Sequence, residues 1–154
     1  VSRKVGLPVT VDPRLMELNL GELEGATSRQ MREEWSQVYR SWRENPGATV
    51  MPGGESMVQL QERVWRSFLE VEETHLEDEA VLMVSHNFAI RCIISQLLGI
   101  PWSHYHGTYL DLGSVCTIET TRETDRETTG FRRRLKSYNS VSHLSSENQP
   151  SGSG

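Results

Sequence analysis

The sequence is poor in features that mark several protein classes. Its 154 residues include only two cysteines, Cys92 and Cys116, which form neither a paired metal motif nor a disulfide-rich pattern. Both are interpreted as small buried hydrophobic residues. No run approaches the roughly 18 to 20 apolar residues of a membrane span, and no signal peptide opens the chain. We therefore expect a soluble, cytoplasmic protein.

Positive charge is also scarce. Acidic residues outnumber basic ones by 21 to 16, and the formal net charge is −5. Such a chain has no overall attraction for nucleic acid or for an anionic membrane, so we expect neither as a partner. A negatively charged substrate would need a local basic pocket.

The length suits one domain, because a single core typically serves about 100 to 200 residues. We assign residues 1–144 to this domain. Residues 145–154, SSENQPSGSG, are polar and lack apolar anchors, so they are predicted to be a disordered tail. The first residue is Val1 rather than Met, which suggests a processed product or a fragment.

Apolar spacing predicts three helices. Spacings of three and four predict one over residues 28–44, stopped by Asn45-Pro46-Gly47. The strongest pattern follows Pro52-Gly53-Gly54, where Met57, Leu60, Val64, Phe68 and Val71 recur at helical intervals. A third helix over residues 88–98 is closed by Gly99 and Pro101, an ordinary C-terminal stop.

Short apolar runs predict the strands. Residues 80–84 form an unbroken run typical of a strand buried on both faces. Residues 109–112, 115–120 and 131–138 are predicted strands, the first two joined as a hairpin at Gly113-Ser114. Residues 5–11 contain Pro8 and favour a short extended or edge segment. Together the elements predict an α/β layer fold with an antiparallel C-terminal addition.

His86 is a candidate functional residue because it lies where a predicted strand ends and a helix begins. Ligands of α/β sheets bind at the carboxyl ends of strands, and a helix N-terminus is a ready anion site. His86 could contact phosphate or act as an acid or base. Alternatively, it simply hydrogen-bonds a neighbouring loop at the strand end.

Glu55 is a second candidate, since it follows two glycines that allow close backbone approach to a ligand. Its carboxyl could serve as a general acid if burial or a phosphate dianion raised its pKa. The alternative is a first-turn glutamate that complements the helix dipole and needs no substrate.

Other polar clusters are interpreted more simply. His104 and His106 could be a metal pair, but further ligands are lacking nearby, and loop histidines are favoured. Arg132, Arg133 and Arg134 fall on a predicted strand, where alternation sends neighbours to opposite faces.

Four stretches together resemble the histidine phosphatase superfamily, the phosphoglycerate-mutase-like enzymes. They are DPRLMELNLGELEG (12–25), PGGES (52–56), VLMVSHNFAIRCIISQLLG (81–99) and YNSVSHL (138–144). Their order and spacing match over nearly all of residues 1–144. The resemblance implies a three-layer fold with a mostly parallel sheet, helices on both faces and an antiparallel C-terminal addition.

The resemblance also implies a chemistry. In this family phosphate passes to a nucleophilic histidine in a pocket with a second histidine, two arginines and an acidic proton donor. Such a set suits the spread negative charge of a transferring phosphoryl group. By resemblance, His86 is the second histidine, Glu55 is the proton donor, and the Asn87 N–H lies near the phosphate. No metal or cofactor is implied.

One departure from the family pattern is large. The family opens with a strand ending in Arg-His-Gly, whose histidine is the nucleophile, and this sequence contains no Arg-His pair. The chain resembles the C-terminal two-thirds of such an enzyme. Without the first strand, residues 80–84 would form an unpaired apolar edge that invites self-association or pairing with a missing segment. A missing N-terminal piece, a partner segment or an error in gene assembly would each explain it.

The sequence therefore predicts a phosphomonoesterase or phosphomutase that acts on a small phosphorylated substrate through phosphohistidine. Because the nucleophile is missing, we expect this chain to be inactive alone. The alternative function is a non-catalytic phosphate-binding or interaction module.

Overall fold

A computed structural model of the chain describes residue 4 and residues 6–75, 78–124 and 129–145. Within them the α-helices are α1 (Ser28–Glu34), α2 (Ser36–Glu44), α3 (Met57–Thr74) and α4 (Asn87–Leu98). The strands are β1 (Val115–Thr124) and β2 (Thr129–Ser140). Short 3-10 helices cover Pro13–Leu15, Gly21–Leu23 and Trp102–Gly107. The predicted tail at 145–154 lies outside the described residues apart from its first residue.

The predicted helix over residues 28–44 is present but divided. Thr27 begins α1 with a capping box, in which its hydroxyl accepts from the Gln30 N–H and Gln30 accepts from the Thr27 N–H. Trp35 leaves the helical region with φ −121° and ψ 44°, and α2 follows. Trp35 and Trp42 are partly buried against the core.

The predicted helix after Pro52-Gly53-Gly54 is confirmed as α3. Ser56 begins it with a second capping box to Gln59. Its buried residues Met57, Leu60, Val64 and Phe68 lie at the predicted spacing and face α4.

The helix predicted after the Ser85-His86-Asn87 triplet is also confirmed, and it begins one residue early. Its N-cap is His86, whose backbone is extended. It ends at Gly99, which adopts the left-handed conformation with φ 64°, as a C-terminal glycine commonly does.

The observed sheet is an antiparallel pair of β1 and β2, with Ile118 opposite Leu135. The alternation expected along the arginine run is present. Arg133 turns to α3 and pairs with buried Glu72, with Nε 2.8 Å from Oε1. Arg132 and Arg134 lie on the exposed face beside Glu123 and Glu119. The Arg133–Glu72 pair thereby joins the β1–β2 pair to α3.

Two predicted strands are not formed among the described residues. Residues 80–84 have no hydrogen-bonded strand partner there, and Leu82 and Val84 are 63% and 69% exposed, so burial on both faces is wrong. Residues 109–112 are also irregular, and β1 pairs with β2 instead of forming a hairpin at Gly113-Ser114. A strand needs a neighbour for its N–H and C=O groups, which local apolar pattern cannot supply.

The core lies between α3, α4 and the irregular segments that cross them. Its buried apolar members are Leu18, Leu23, Met51, Met57, Leu60, Val64, Phe68, Ala89, Cys92, Ile93 and Tyr105. The predicted burial of Cys92 is confirmed, whereas Cys116 is only half-buried. The α/β class with an antiparallel C-terminal addition is confirmed. Among the described residues no helix is long and apolar enough to span a bilayer.

Candidate active site

His86 lies at the start of α4, as the sequence indicated, but the strand predicted before it is not formed among the described residues. Its backbone caps the N-terminus of α4 without a side-chain capping bond, and its side chain is exposed. The preceding residue, Ser85, donates its hydroxyl to the Leu15 carbonyl oxygen at 2.6 Å. His86 is therefore presented to solvent at the N-terminus of a helix, a place suited to an anion.

Asn87 is the first residue of α4, and both ends of its side-chain amide have protein partners. Its Nδ2 donates to the Leu110 carbonyl at 3.2 Å, and its Oδ1 accepts from Arg91 Nη1 at 3.2 Å. Arg91 in turn lies over the Tyr105 ring, 3.7 Å from the centroid. Because both ends of the Asn87 side-chain amide are engaged, Asn87 would contact a ligand through its main-chain N–H.

The carboxylate of Glu17, which the sequence did not indicate, also lies at the N-terminus of α4. Glu17 accepts hydrogen bonds from the main-chain N–H of Phe88 at 3.1 Å and of Ala89 at 3.3 Å. It also accepts from the Leu18 N–H at 2.9 Å. A negative group at a helix N-terminus is favoured by the helix dipole. Glu17, which belongs to the stretch DPRLMELNLGELEG, is thus bonded to Phe88, two positions after His86.

Glu55, unlike Glu17, is bonded to a guanidinium rather than to the N-terminus of α4. Its carboxylate makes a two-point ion pair with Arg63, with Oε2 3.0 Å from Nε and Oε1 2.6 Å from Nη2. Oε1 also accepts from the Asn19 N–H at 2.9 Å. Burial alone would raise the pKa of Glu55, but the Arg63 guanidinium and the Asn19 N–H outweigh it and lower the pKa below its ordinary value.

Glu55 and His86 are joined through one intermediate segment. Residues 15–19 bond to Ser85 on one side, through the Leu15 carbonyl, and to Glu55 on the other, through Asn19. No hydrogen bond or ion pair links Glu55 directly with His86 in the described part of the chain. The proton-donor role of Glu55 remains a prediction, and its contacts suit a carboxylate that holds structure.

Residues 19–22 and residues 52–55 form two loops that pack closely against each other. The Glu22 N–H donates to the Pro52 carbonyl at 2.9 Å, and the Glu55 N–H donates to the Asn19 carbonyl at 3.0 Å. A Cβ at Gly54 would collide with the Asn19 carbonyl oxygen. The glycines before Glu55 therefore serve backbone-to-backbone approach, a purpose that requires no ligand.

An aromatic wall borders the same helix end. Phe88 meets the edge of Trp42 at 5.9 Å between centroids and stacks on Tyr105 at 6.0 Å. Because Phe88 is in the first turn of α4, α2 is brought close to the candidate site. His104 and His106 are exposed residues of the 3-10 helix Trp102–Gly107. In the described ranges no three His, Cys, Asp or Glu side chains are grouped to hold a metal.

Comparison with known proteins identifies the family. A model of the histidine phosphatase superfamily (branch 1) matches residues 1–129. The chain belongs to the histidine phosphatase superfamily. This confirms the resemblance stated from the four motifs.

Named relatives support the family. A Hydrogenobacter thermophilus protein, provisionally named phosphoserine phosphatase 2, is 33% identical over 119 residues, 77% of this chain and 57% of its own. A provisionally named phosphoglycerate mutase GpmB of Escherichia fergusonii is 33% identical over 101 residues, covering 66% of this chain and 46% of its own. The chain thus spans about half the length of these curated relatives.

A solved structure gives the same result at the level of the fold. A mycobacterial glucosyl-3-phosphoglycerate phosphatase, determined with VO3, aligns with a TM-score of 0.72 and 26% sequence identity. The alignment covers 90% of this chain and 66% of that protein. The chain therefore folds as the corresponding part of a histidine phosphatase.

Proposed function

We propose that this chain forms one side of the active site of a phosphomonoesterase or phosphomutase that works through a phosphohistidine intermediate. His86 is the second histidine of the pocket, and the Asn87 N–H faces the phosphate. The observation that carries the proposal is the exposed His86 at the N-terminus of α4, within a family whose members handle small phosphorylated substrates. The substrate class proposed here is a small phosphate monoester.

Phosphoryl transfer requires groups that stabilise negative charge. A transferring phosphoryl group spreads negative charge over its oxygens, and oriented N–H groups stabilise it without reorganising. In the first turn of α4 the Phe88 and Ala89 N–H groups bind Glu17, so the Asn87 N–H is the group proposed to face the phosphate. An imidazole at the N-cap adds a donor at the same place.

The proton for the leaving oxygen requires a carboxyl group near this helix end. Glu55 was predicted for that role, and Glu17 is the second candidate. Glu17 is favoured by its position, because its carboxylate touches the N–H groups of Phe88 and Ala89. Glu55 is instead held by Arg63. We propose Glu17 as the proton donor, and exchange of each glutamate for glutamine separates the two assignments.

The nucleophile is proposed to come from outside these 154 residues, since the sequence has no Arg-His pair. The segment that brings it would pair along residues 80–84, whose exposed apolar side chains Leu82 and Val84 have no strand beside them in the described structure. An unpaired edge of this kind accepts an added strand readily. The same edge would otherwise promote self-association.

The cytoplasmic location also stays a prediction.

Hydrolysis of p-nitrophenyl phosphate at mildly acid and neutral pH tests the function. The comparison is between this chain and a form extended by any upstream coding sequence, each with and without His86→Ala. His104→Ala is the matched control, because His104 is exposed and lies on a different element. We expect turnover only in the extended form, lost with His86→Ala and kept with His104→Ala. Turnover by the chain as given would contradict the external nucleophile.

The second candidate function is a phosphate-binding module without turnover. It is favoured by the missing Arg-His pair, because binding needs only the helix end and His86. Calorimetric titration with inorganic phosphate decides it. Binding that His86→Ala weakens, together with no hydrolysis in any form, would support the module and exclude the enzyme.

A further inference from the structure

Arg63 of α3 directs three of its five guanidinium hydrogen bonds to the segment that carries Glu17. Its Nη1 donates to the carbonyls of Arg14 at 2.6 Å and Met16 at 2.8 Å. Its Nη2 donates to the Glu17 carbonyl at 2.9 Å. The remaining bonds, from Nε and Nη2, go to Glu55. All five donors of the side chain therefore have a partner.

The bonded segment has little regular structure of its own. The 3-10 helix Pro13–Leu15 ends there, and residues 16–20 are irregular. Main-chain carbonyls outside a helix or sheet must find other partners when partly buried. Arg63 donates hydrogen bonds to three of these carbonyls, in place of the main-chain partners that a strand or helix would provide.

Glu55 holds the same segment from its other end. Its carboxylate accepts the Asn19 N–H, and its own N–H donates to the Asn19 carbonyl at 3.0 Å. The backbone at residue 17 is therefore bonded to Arg63 at its own carbonyl and on its N-terminal side, and to Glu55 through Asn19 on its C-terminal side.

Between these anchors, the Glu17 side chain reaches the end of α4. There it accepts from Phe88 and Ala89, beside His86. The placement of this carboxylate follows from where its backbone is held, because a shift of about 1 Å would take its oxygens out of hydrogen-bond range.

We infer that the Arg63–Glu55 pair is a positioning pair for Glu17, which holds the Glu17 carboxylate against the N-terminal N–H groups of α4. The assignment rests on the proposed function for its catalytic meaning, and its geometric part stands separately. Both side chains are well covered, with 24% and 16% of Arg63 and Glu55 exposed. Lysine at position 63 offers three donors from one nitrogen and cannot bind two carboxylate oxygens and three carbonyls together.

Amide hydrogen exchange in the full chain tests the inference directly. Glu17→Gln first gives the benchmark: the faster exchange and shifted amide resonances of Phe88 and Ala89 when the carboxylate is lost. Arg63→Lys and Glu55→Gln are then compared with it. We expect each to reproduce the resonance shifts and to speed exchange at these two amides about tenfold, as for one lost bond to a charged group.

Arg133→Lys is the matched control, since Arg133 makes the same two-point pair with buried Glu72 on another side of α3. It should lower stability in urea yet leave the Phe88 and Ala89 amides unchanged. Arg63 variants that leave both amides as in the wild type would overturn the inference. So would an Arg133→Lys variant that disturbs them equally, because the effect would then be general loosening.

The outcome is separable from that of the proposed function. If Arg63→Lys and Glu55→Gln leave the Phe88 and Ala89 amides unchanged in a protein that hydrolyses phosphate monoesters, only the positioning role is excluded. If the variants change these amides as expected, but the protein neither binds nor hydrolyses phosphate monoesters, the proposed function is excluded. Arg63 and Glu55 then remain a pair that orders the loop.

Discussion

The Glu17 carboxylate lies 3.1 Å from the main-chain N–H nitrogen of Phe88, although 71 positions separate the two residues. This bond brings an acidic side chain to the helix end that presents His86. It joins two motifs of the family, and it gives the candidate site its carboxylate.

Replacing Glu17 by Gln should slow hydrolysis most for substrates with poor leaving groups. A general acid typically contributes about 10²- to 10⁴-fold, and an alkoxide needs its proton far more than p-nitrophenolate does. In a form that hydrolyses phosphate monoesters, kcat should fall much further for an alkyl phosphate than for p-nitrophenyl phosphate. Steady-state kinetics with both substrates measure this.

Glu22→Gln is the control for that experiment, because Glu22 is exposed on the same loop. It should change neither rate appreciably. An equal loss on both substrates with Glu17→Gln, or a selective loss with Glu55→Gln instead, would return the proton-donor role to Glu55.

Stability should depend on pH through Glu55. The folded-state pKa of Glu55 is lowered from its ordinary value of 4.5, so its pairing with Arg63 stabilises the fold above that value. The contribution is lost as pH falls through the lower, folded-state pKa. Urea unfolding between pH 6 and 3 should show the stability gap between wild type and Glu55→Gln shrinking with acid. A gap that stays constant would contradict the assignment.

The Arg133–Glu72 pair should be a strong anchor of the hairpin. Only 2% of the Glu72 side chain is exposed, and Arg133 also lies 5.5 Å from the Trp65 ring centroid. Glu72→Ala leaves a covered guanidinium unpaired and should cost about 3 kcal/mol in urea unfolding. Glu119→Ala on the exposed face should cost less than about 1 kcal/mol. Equal losses would show that the covered pair is not special.

Gly54 should tolerate no side chain. A Cβ there would meet the Asn19 carbonyl oxygen, so Gly54→Ala must push the two loops apart. We expect a loss of about 1 to 3 kcal/mol in the free energy of unfolding. Gly107→Ala is the control, since a Cβ at Gly107 meets nothing within 4 Å. A Gly54→Ala protein as stable as Gly107→Ala would show that the loops can yield.

Several features could be predicted because their causes are local. Helix α3 follows from apolar spacing and a Ser56 cap, and α4 ends at Gly99 because glycine readily adopts a left-handed conformation. The alternation of Arg132, Arg133 and Arg134 follows from the two-residue repeat of a strand. His86 was placed correctly at the start of α4 for the same local reasons.

Other features depend on partners far along the chain. Residues 80–84 have a strand's composition, yet pairing is decided by a neighbour that local pattern does not reveal. Glu17 carried no distinguishing local signal, because its role arises from α4, 71 residues later. The one available clue was its position inside DPRLMELNLGELEG, the stretch that resembles the family.

By itself the sequence determined where the helices lie, the glycine that ends α4, the α/β class and the family, because spacing, stop residues and motif order are properties of neighbouring positions. Tertiary structure alone decided which acid meets the helix end and which one pairs with Arg63. Glu17 and Glu55 are chemically identical side chains. Their environments differ because one reaches the N–H groups of α4 and the other a guanidinium, and those distances exist only after the chain has folded.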